Sequence, residues 1–390
     1  MAYPCEKWKN REEDISLKGL RFKGVCILKK ILLLCSTSGS VVGFRKTLIE
    51  KLQSEGFNVS VITFDTEHKE EIEKRGIGFY CIEDKNRSMN PFKILSLKSK
   101  YKKLIKEICP DIVFTFMLKP NTFGVMAAKS AGVKNIYSMV EGAGDVFINN
   151  SFKWKLIRFV VCRLYKKAFK SSRKVFFLND DDKTEFIRRQ LVKEEQCELI
   201  LGGIGVDLEK FSFKPLKNNR TFLMIARMLK TKGVLEYCKA ARIVKQKYPD
   251  VVFNYLGAEG TLKLSDIQEY IDDGSVKYLG TTKDVRPYLE EATAYILPSY
   301  REGKSVSIME AEAIGRAIIT KNVPGCRESI VENYNGFFAN TVSEIVEKVS
   351  WFIENPDEAI RMGENSRKFA EENLDYKKID QRIYEVIDSE

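Results

Sequence analysis

Short apolar runs alternate with amphipathic stretches along this chain, and the alternation occurs twice. The first half carries KKILLLCS, a helical pattern from about Phe44 to Glu55, FNVSVITF, a long basic helical stretch ending at Cys109, then DIVFTFM, NIYSMVEG and KVFFLND. The second half carries TFLMIAR, VVFNYLG, VKYLG, AYILPS and RAIIT. Strands alternating with amphipathic helices predict an α/β fold with parallel, doubly wound sheets. Gly, Pro and Lys concentrate between Gly202 and Asn219, which reads as a junction between two Rossmann-like halves. At 390 residues the chain is long enough for two separate cores.

The segment Pro298 to Gly315, PSYREGKSVSIMEAEAIG, places Glu302 and Glu310 across a strand-to-helix corner. The apolar run Tyr295 to Leu297 ends there, broken by Pro298 and Gly303. Ser305 or Ser307 can then cap a helix that Gly315 closes. Such corners lie at the carboxyl ends of parallel strands, where open sheets bind ligands. A helix start offers free N–H groups and a positive dipole end to an anion such as a diphosphate. Carboxylates beside it suit hydroxyl groups, which donate to their oxygens. An anion joined to a polyol describes a nucleotide sugar. Two plainer readings stand beside this one: Ser307 and Glu310 fit a capping box, and Glu302 fits an ordinary loop carboxylate.

The net charge of +11 admits nucleic acid, anionic membrane or acidic substrates as partners. No RNP-like or helix–turn–helix pattern occurs, so nucleic acid is not expected. The stretch Ser151 to Lys174 carries nine lysines and arginines among Phe152, Trp154, Leu156, Phe159, Val160, Leu164 and Phe169. At helical period it suits either an interfacial helix on an anionic membrane or a packing helix with solvated lysines. No apolar run approaches the roughly 18 residues needed to span a bilayer. GVCILKKILLLC, split by Lys29 and Lys30, lacks a secretory core and a cleavage site. A cytoplasmic location, peripheral on the inner face of the plasma membrane, is expected. The nine cysteines are scattered without C-x-x-C pairing, so neither a disulfide framework nor a zinc site is indicated. His68, the one histidine, falls in the polar stretch DTEHKEEIEKRG and reads as a solvated helix residue, leaving no Ser–His or Cys–His machinery. Asp180, Asp181 and Asp182 read as a helix N-cap cluster in preference to a metal-binding Asp-x-Asp. The turn STSGSVVG lacks G-x-G-x-x-G, which argues against a nicotinamide enzyme.

The corner resembles the E-x7-E signature of retaining glycosyltransferases of family 4, which have the GT-B fold. The likeness extends through IARMLKTKG (Ile225 to Gly233), GGIGVDLEKF (Gly202 to Phe211), YLGTTKDV (Tyr278 to Val285) and VPGCRESIVENYNGF (Val323 to Phe337), in family order from about Lys29 onward. VEGAGDVFI (Val140 to Ile148) and LKPNTFGVMAAK (Leu118 to Lys129) look most like bacterial enzymes that add N-acetylgalactosamine or another hexosamine to undecaprenyl-diphosphate sugars.

The resemblance implies two Rossmann-like domains facing a cleft. Residues 1–28 are a polar extension, 29–201 an acceptor-side domain, 202–218 a linker, 219–365 a nucleotide-sugar domain and 366–390 a crossover helix. It implies retaining transfer of a hexose, an N-acetylhexosamine such as N-acetylgalactosamine, from a UDP-sugar to a polyprenyl-diphosphate-linked glycan in surface polysaccharide or glycoprotein glycan assembly. Arg227 and Lys232 would bind the pyrophosphate, replacing a divalent metal, so neither metal nor other cofactor is expected. Gly39 would let backbone approach the phosphates. Glu310 would hold the ribose hydroxyls. Glu302 would meet the sugar's distal hydroxyls, helped by the N–H groups of Lys304, Ser305 and Val306. Where many members carry histidines, this chain has Glu141 and, before Pro120, Leu118 followed by Lys119. Lys304 stands where a small or apolar residue is common. Glu141 and Lys119 would face the acceptor, with Arg45 and Lys119 toward the lipid diphosphate. A GT-B-fold nucleotide-sugar epimerase and a non-catalytic nucleotide-sugar binding protein are the competing readings.

Overall fold

The computed structural model describes residues 28–83, 91–148, 151–217 and 219–389. The expected polar extension, residues 1–28, lies outside them except for Leu28. The chain divides into two compact units, residues 1–138 with 167–173, and residues 139–166 with 174–390.

The first sheet is built from β1 (Lys30–Leu34), β2 (Asn58–Thr63), β3 (Gly78–Cys81), β4 (Ile112–Phe116), β5 (Asn135–Val140), β6 (Lys174–Phe177) and β7 (Cys197–Leu199). Their order is β3-β2-β1-β4-β5-β6-β7. The second contains β8 (Thr221–Ile225), β9 (Val252–Leu256), β10 (Lys277–Tyr278), β11 (Ala294–Leu297), β12 (Ala317–Thr320) and β13 (Gly336–Phe338), ordered β10-β9-β8-β11-β12-β13. The pairings β1–β2, β1–β4, β8–β9 and β8–β11 are all parallel. Each sheet thus has the two-way order of a doubly wound fold, which confirms the predicted class. β11 and β12 are buried at every residue, as strands covered on both faces must be. Three short strands, β3, β7 and β13, have no counterpart among the predicted runs.

The core of the second unit joins Phe222, Leu223 and Met224 of β8 to Tyr295, Ile296 and Leu297 of β11 and to Ile308 and Met309 of the next helix. Two helices close the chain, Pro356–Asn373 and Tyr376–Asp388. Six of the described cysteines are free thiols.

Candidate active site

In each sheet the strand order reverses between two neighbours, β1 and β4 in the first, β8 and β11 in the second. Loops leaving the carboxyl ends of such a pair diverge and leave a crevice. After β8 the chain passes Arg227, makes a 3-10 turn over Lys230–Lys232, and enters the helix Val234–Lys247 through Gly233 at φ +75°. A Cβ on Gly233 would sit 2.2 Å from the Pro298 carbonyl oxygen, so the loop after β11 crosses directly over this point. Ser299 Oγ and the Tyr300 N–H both donate to the Thr231 carbonyl, at 3.0 and 2.8 Å. These contacts carry Lys232 to Glu302. Lys232 Nζ donates to both carboxylate oxygens, at 2.6 and 2.7 Å. Arg227, further back on the same loop, is exposed, and its guanidinium makes no hydrogen bond among the described residues.

The helix after this corner spans Val306–Ile314. Ser305 is its N-cap, with Oγ accepting from the Ile308 N–H at 3.4 Å, and Gly315 ends it in the left-handed region at φ +90°. Ser307 instead meets the Tyr295 hydroxyl at 2.6 Å, so the Ser307–Glu310 capping box does not form. The N–H groups of Lys304, Ser305 and Val306 stay without a carbonyl partner among the described residues. Lys304 itself is buried, and its Nζ donates to the Glu328 carbonyl at 2.9 Å. Burial lowers its pKa against the opposing pull of Glu312 and Glu328. Its side chain therefore braces the corner from inside and leaves only main-chain groups to a ligand. Glu312, on the inner side of the helix, is fully buried, which pushes its carboxyl up to about 8 against the nearby Lys304.

Glu310 lies on the same helix near Lys210 and Asp284. Burial raises its pKa to about 7, Lys210 opposing and Asp284 adding to the rise. Beyond the ends of β8 and β9 an open recess of about 210 Å³ is lined by Ala226, Arg227, Gly257, Thr281, Thr282 and Val285. A largely apolar slot beside a free arginine suits a flat ring whose phosphate tail leads away.

The raised pKa of Glu310 has a measurable sign. An ionised carboxylate accepts from two hydroxyls more strongly than a protonated carboxyl, one of whose oxygens has become a donor, so a diol favours the ionised form. Affinity for a ligand that presents a diol to Glu310, and has no group of its own titrating near neutrality, is expected to be stronger at pH 8 than at pH 6, one unit below the raised value. Calorimetric titration at the two pH values checks it, and Glu310→Gln should flatten the dependence.

The sequence placed Glu141 among the candidate catalytic residues, on the acceptor side. In the structure its carbonyl oxygen presses on Gly303, where an added Cβ would lie 1.5 Å away. Gly142, at φ +143°, would likewise meet Gly303 at 3.1 Å. Asp180, Asp181 and Asp182 occupy the first turn of the helix Asp180–Arg188, but the cap is Asn179, whose side chain accepts from the Asp182 N–H at 2.8 Å. The Asp cluster is thus not the N-cap that spacing suggested. Asp182 turns inward, fully buried, and Asp181 pairs with Arg327 at 3.3 Å.

The first unit has its own set at the ends of β1, β2 and β4. Gly39 is the second residue of the helix Ser38–Val42, capped by Thr37. A Cβ there would meet only the His68 ring, at 3.6 Å, so nothing within the unit demands glycine. Arg45 is buried with its guanidinium 4.2 Å from the Phe116 ring centroid. Lys119 precedes the π-helical stretch Pro120–Gly124, its Nζ 5.7 Å from the Phe64 ring. His68 is not the solvated residue its polar surroundings predicted. It is half-buried, donates from its N–H to Ser38 Oγ at 3.1 Å, and places Nδ1 3.3 Å from the same oxygen, which also binds Asp65. Ser38 and His68 are 30 positions apart, so spacing carried no sign of this contact.

Comparison with known proteins agrees with this geometry. Residues 30–179 match the glycosyl transferase 4-like family and residues 206–369 the glycosyl transferases group 1 family. The chain is 31% identical over 353 residues to the N,N'-diacetylbacillosaminyl-diphospho-undecaprenol alpha-1,3-N-acetylgalactosaminyltransferase of Campylobacter jejuni, covering 86% of this chain and 93% of that one. It is also 31% identical over 261 residues to the UDP-Gal:alpha-D-GlcNAc-diphosphoundecaprenol alpha-1,3-galactosyltransferase of Escherichia coli, covering 62% and 65%. In fold it is similar to Anabaena Alr3699/HepE, solved with UDP-glucose, at a TM-score of 0.75 and 20% identity over 93% of this chain and 100% of that one. With its two parallel, doubly wound sheets and the Glu302–Glu310 corner, this chain belongs to the family 4 glycosyltransferases of GT-B fold.

Proposed function

We propose that the protein transfers an N-acetylhexosamine, such as N-acetylgalactosamine, from a UDP-sugar to a polyprenyl-diphosphate-linked glycan, with retention of anomeric configuration. The Lys232–Glu302 pair at the strand-order reversal between β8 and β11 carries this reading, because it sets a cation and a hydroxyl acceptor side by side next to capped-helix amides. The uracil would enter the recess beside Arg227, the ribose would donate to Glu310, and the diphosphate would meet Arg227, Lys232 and the N–H groups of Lys304 to Val306. Those groups stabilise negative charge as it builds on the leaving diphosphate, and fixed donors of this kind usually contribute more to catalysis than any other feature of a site. With charge handled this way no metal ion is required. Glu302 would hold the distal sugar hydroxyls, and Glu141 would act near them. The polyprenyl acceptor is supported by the two relatives, which act on diphospho-undecaprenol-linked sugars. Arg45 and Lys119, at the reversal of the first sheet, are the candidates for its diphosphate, and Gly39 for backbone approach to the donor phosphates.

A lipid-linked acceptor calls for a membrane surface, and the helix Phe152–Phe169 fits one. Val161, Tyr165, Ala168 and Phe169 are buried, whereas Phe152, Leu156, Phe159 and Val160 are exposed, Phe152 to 86%. The buried face supports the packing reading of this stretch, and the exposed face leaves an apolar ridge for the interfacial one. The exposed apolar ridge is flanked by Lys153, Lys155 and Arg163, as an interfacial helix on anionic lipid requires. No described helix is long and apolar enough to cross a membrane. Sedimentation with phosphatidylglycerol vesicles is expected, lost when Phe152, Leu156 and Phe159 are changed together to serine and weakened by salt.

The reaction is tested by incubating the protein with a panel of UDP-sugars and short polyprenyl-diphosphate glycans, with mass spectrometry of the product and NMR of the new linkage. An added N-acetylhexosamine in the donor's anomeric configuration, with activity surviving chelator, is the expected result. Interconversion of the UDP-sugar without acceptor would identify an epimerase, and binding without turnover a nucleotide-sugar binding protein.

A further inference from the structure

The Asn179–Asp182 turn, which the sequence suggested was a plain helix start, does something else. Asp182 is fully buried, and a buried carboxylate is tolerated only when charge and lone pairs are matched. Three donors match it. The Ala143 N–H lies at 2.9 Å, the Asn179 side-chain amide at 3.1 Å, and the Arg301 guanidinium forms an ion pair with it. The same Asn179 amide nitrogen donates to the Gly303 carbonyl at 2.8 Å. The residues on either side of Glu302 are therefore both fastened to one turn, Arg301 through its side chain and Gly303 through its main chain. Glu302 between them is held by its own N–H to the Pro324 carbonyl at 2.9 Å. The Ala143 contact fastens the segment after β5, the one carrying Glu141, to the same carboxylate.

We infer that Asp182, with Arg301 and Asn179, is a positioning device that fixes the Glu302 carboxylate in register with Lys232 and with the Glu141 segment. None of the three need touch a substrate. A displacement of Glu302 by about an ångström is enough to lower turnover strongly while leaving most ground-state contacts intact. This reading rests on glycosyl transfer at the Glu302 corner and adds a group of residues to it.

The variants Asp182→Asn and Arg301→Gln test it, with Arg301→Lys as the conservative control. Both disruptive variants are expected to lower kcat for transfer by about thirtyfold or more while donor KM moves less than about threefold, and Arg301→Lys is expected to recover most of the loss. Hydrogen–deuterium exchange should show faster exchange confined to the 299–306 segment and the 141–144 segment. If exchange there matches the unaltered protein, or if kcat is unchanged, the device is refuted. A fall in Tm together with a rise in KM, without recovery in Arg301→Lys, would also overturn it in favour of a purely structural pair. Should the unaltered protein transfer no sugar at all, the functional proposal fails, and the exchange comparison still decides whether Asp182 holds the corner.

Discussion

Lys232→Ala is expected to lower kcat/KM for transfer by about 10²–10³, equivalent to about 3–4 kcal/mol of transition-state stabilisation. On the proposed arrangement the substitution removes a cation from the leaving-group side, and it leaves Glu302 without its partner. The Glu302 side chain is only 10% exposed, so its carboxylate is poorly hydrated once Nζ is gone. Removing one member of a shielded pair costs more than the pair contributes, because the survivor is stranded. Lys232→Ala should therefore melt lower as well as react more slowly. The two effects separate in the double variant: adding Glu302→Gln removes the stranded charge and should restore much of the melting temperature without restoring transfer. Steady-state kinetics and thermal melts of the single and double variants check this. Transfer by Lys232→Ala within about threefold of normal would remove Lys232 from the diphosphate site.

Gly303→Ala is expected to abolish measurable transfer and to destabilise the protein by about 2–4 kcal/mol. The cause is close contact and not backbone conformation. An alanine Cβ would lie 1.5 Å from the Glu141 carbonyl oxygen and 2.4 Å from its carbon, and a main chain can yield only by moving as a segment. The segment in question is tied to Asp182 through Ala143, so it cannot retreat cheaply. Gly132→Ala provides the contrast. Gly132 has φ +93° with nothing within 4 Å of an added Cβ, so the change should cost only the backbone strain of about 1–2 kcal/mol and leave transfer intact. Chemical denaturation and transfer assays of the two alanine variants distinguish crowding from strain.

The fold was legible where burial is two-sided. Strands β1, β8, β11 and β12 lie inside their sheets and show as unbroken apolar runs. β3 and β7 lie at sheet edges with every residue half-buried, and a half-solvated strand need not be apolar throughout. β13 has only three residues, too few for any period to register. The corner was legible for a similar reason: Ser305, Gly315 and the carboxylates act within a few positions of one another, so their spacing encodes their geometry. The bracing around it was hidden. Arg301 meets Asp182 across 119 positions and Asn179 meets Gly303 across 124. A row of residues reading Asn-Asp-Asp-Asp offers four adequate helix caps, and only the fold decides which one caps and which turns inward. His68 failed as a reading for the same cause, since its polar neighbours are local and its partner Ser38 is not.

The recess beside Arg227 has a consequence for how this scaffold can diversify. Thr281, Thr282 and Val285 come from the connection that follows β10, while Lys232 and Glu302 come from those after β8 and β11. Changes at Thr281, Thr282 and Val285 thus reshape one wall of the slot from a separate stretch of chain, whereas changes at Ala226 and Arg227 fall on the loop that also carries Lys232. With the base seated in this recess as proposed, changes at Thr281, Thr282 and Val285 would exchange one nucleotide carrier for another while Lys232 and Glu302 are inherited unchanged.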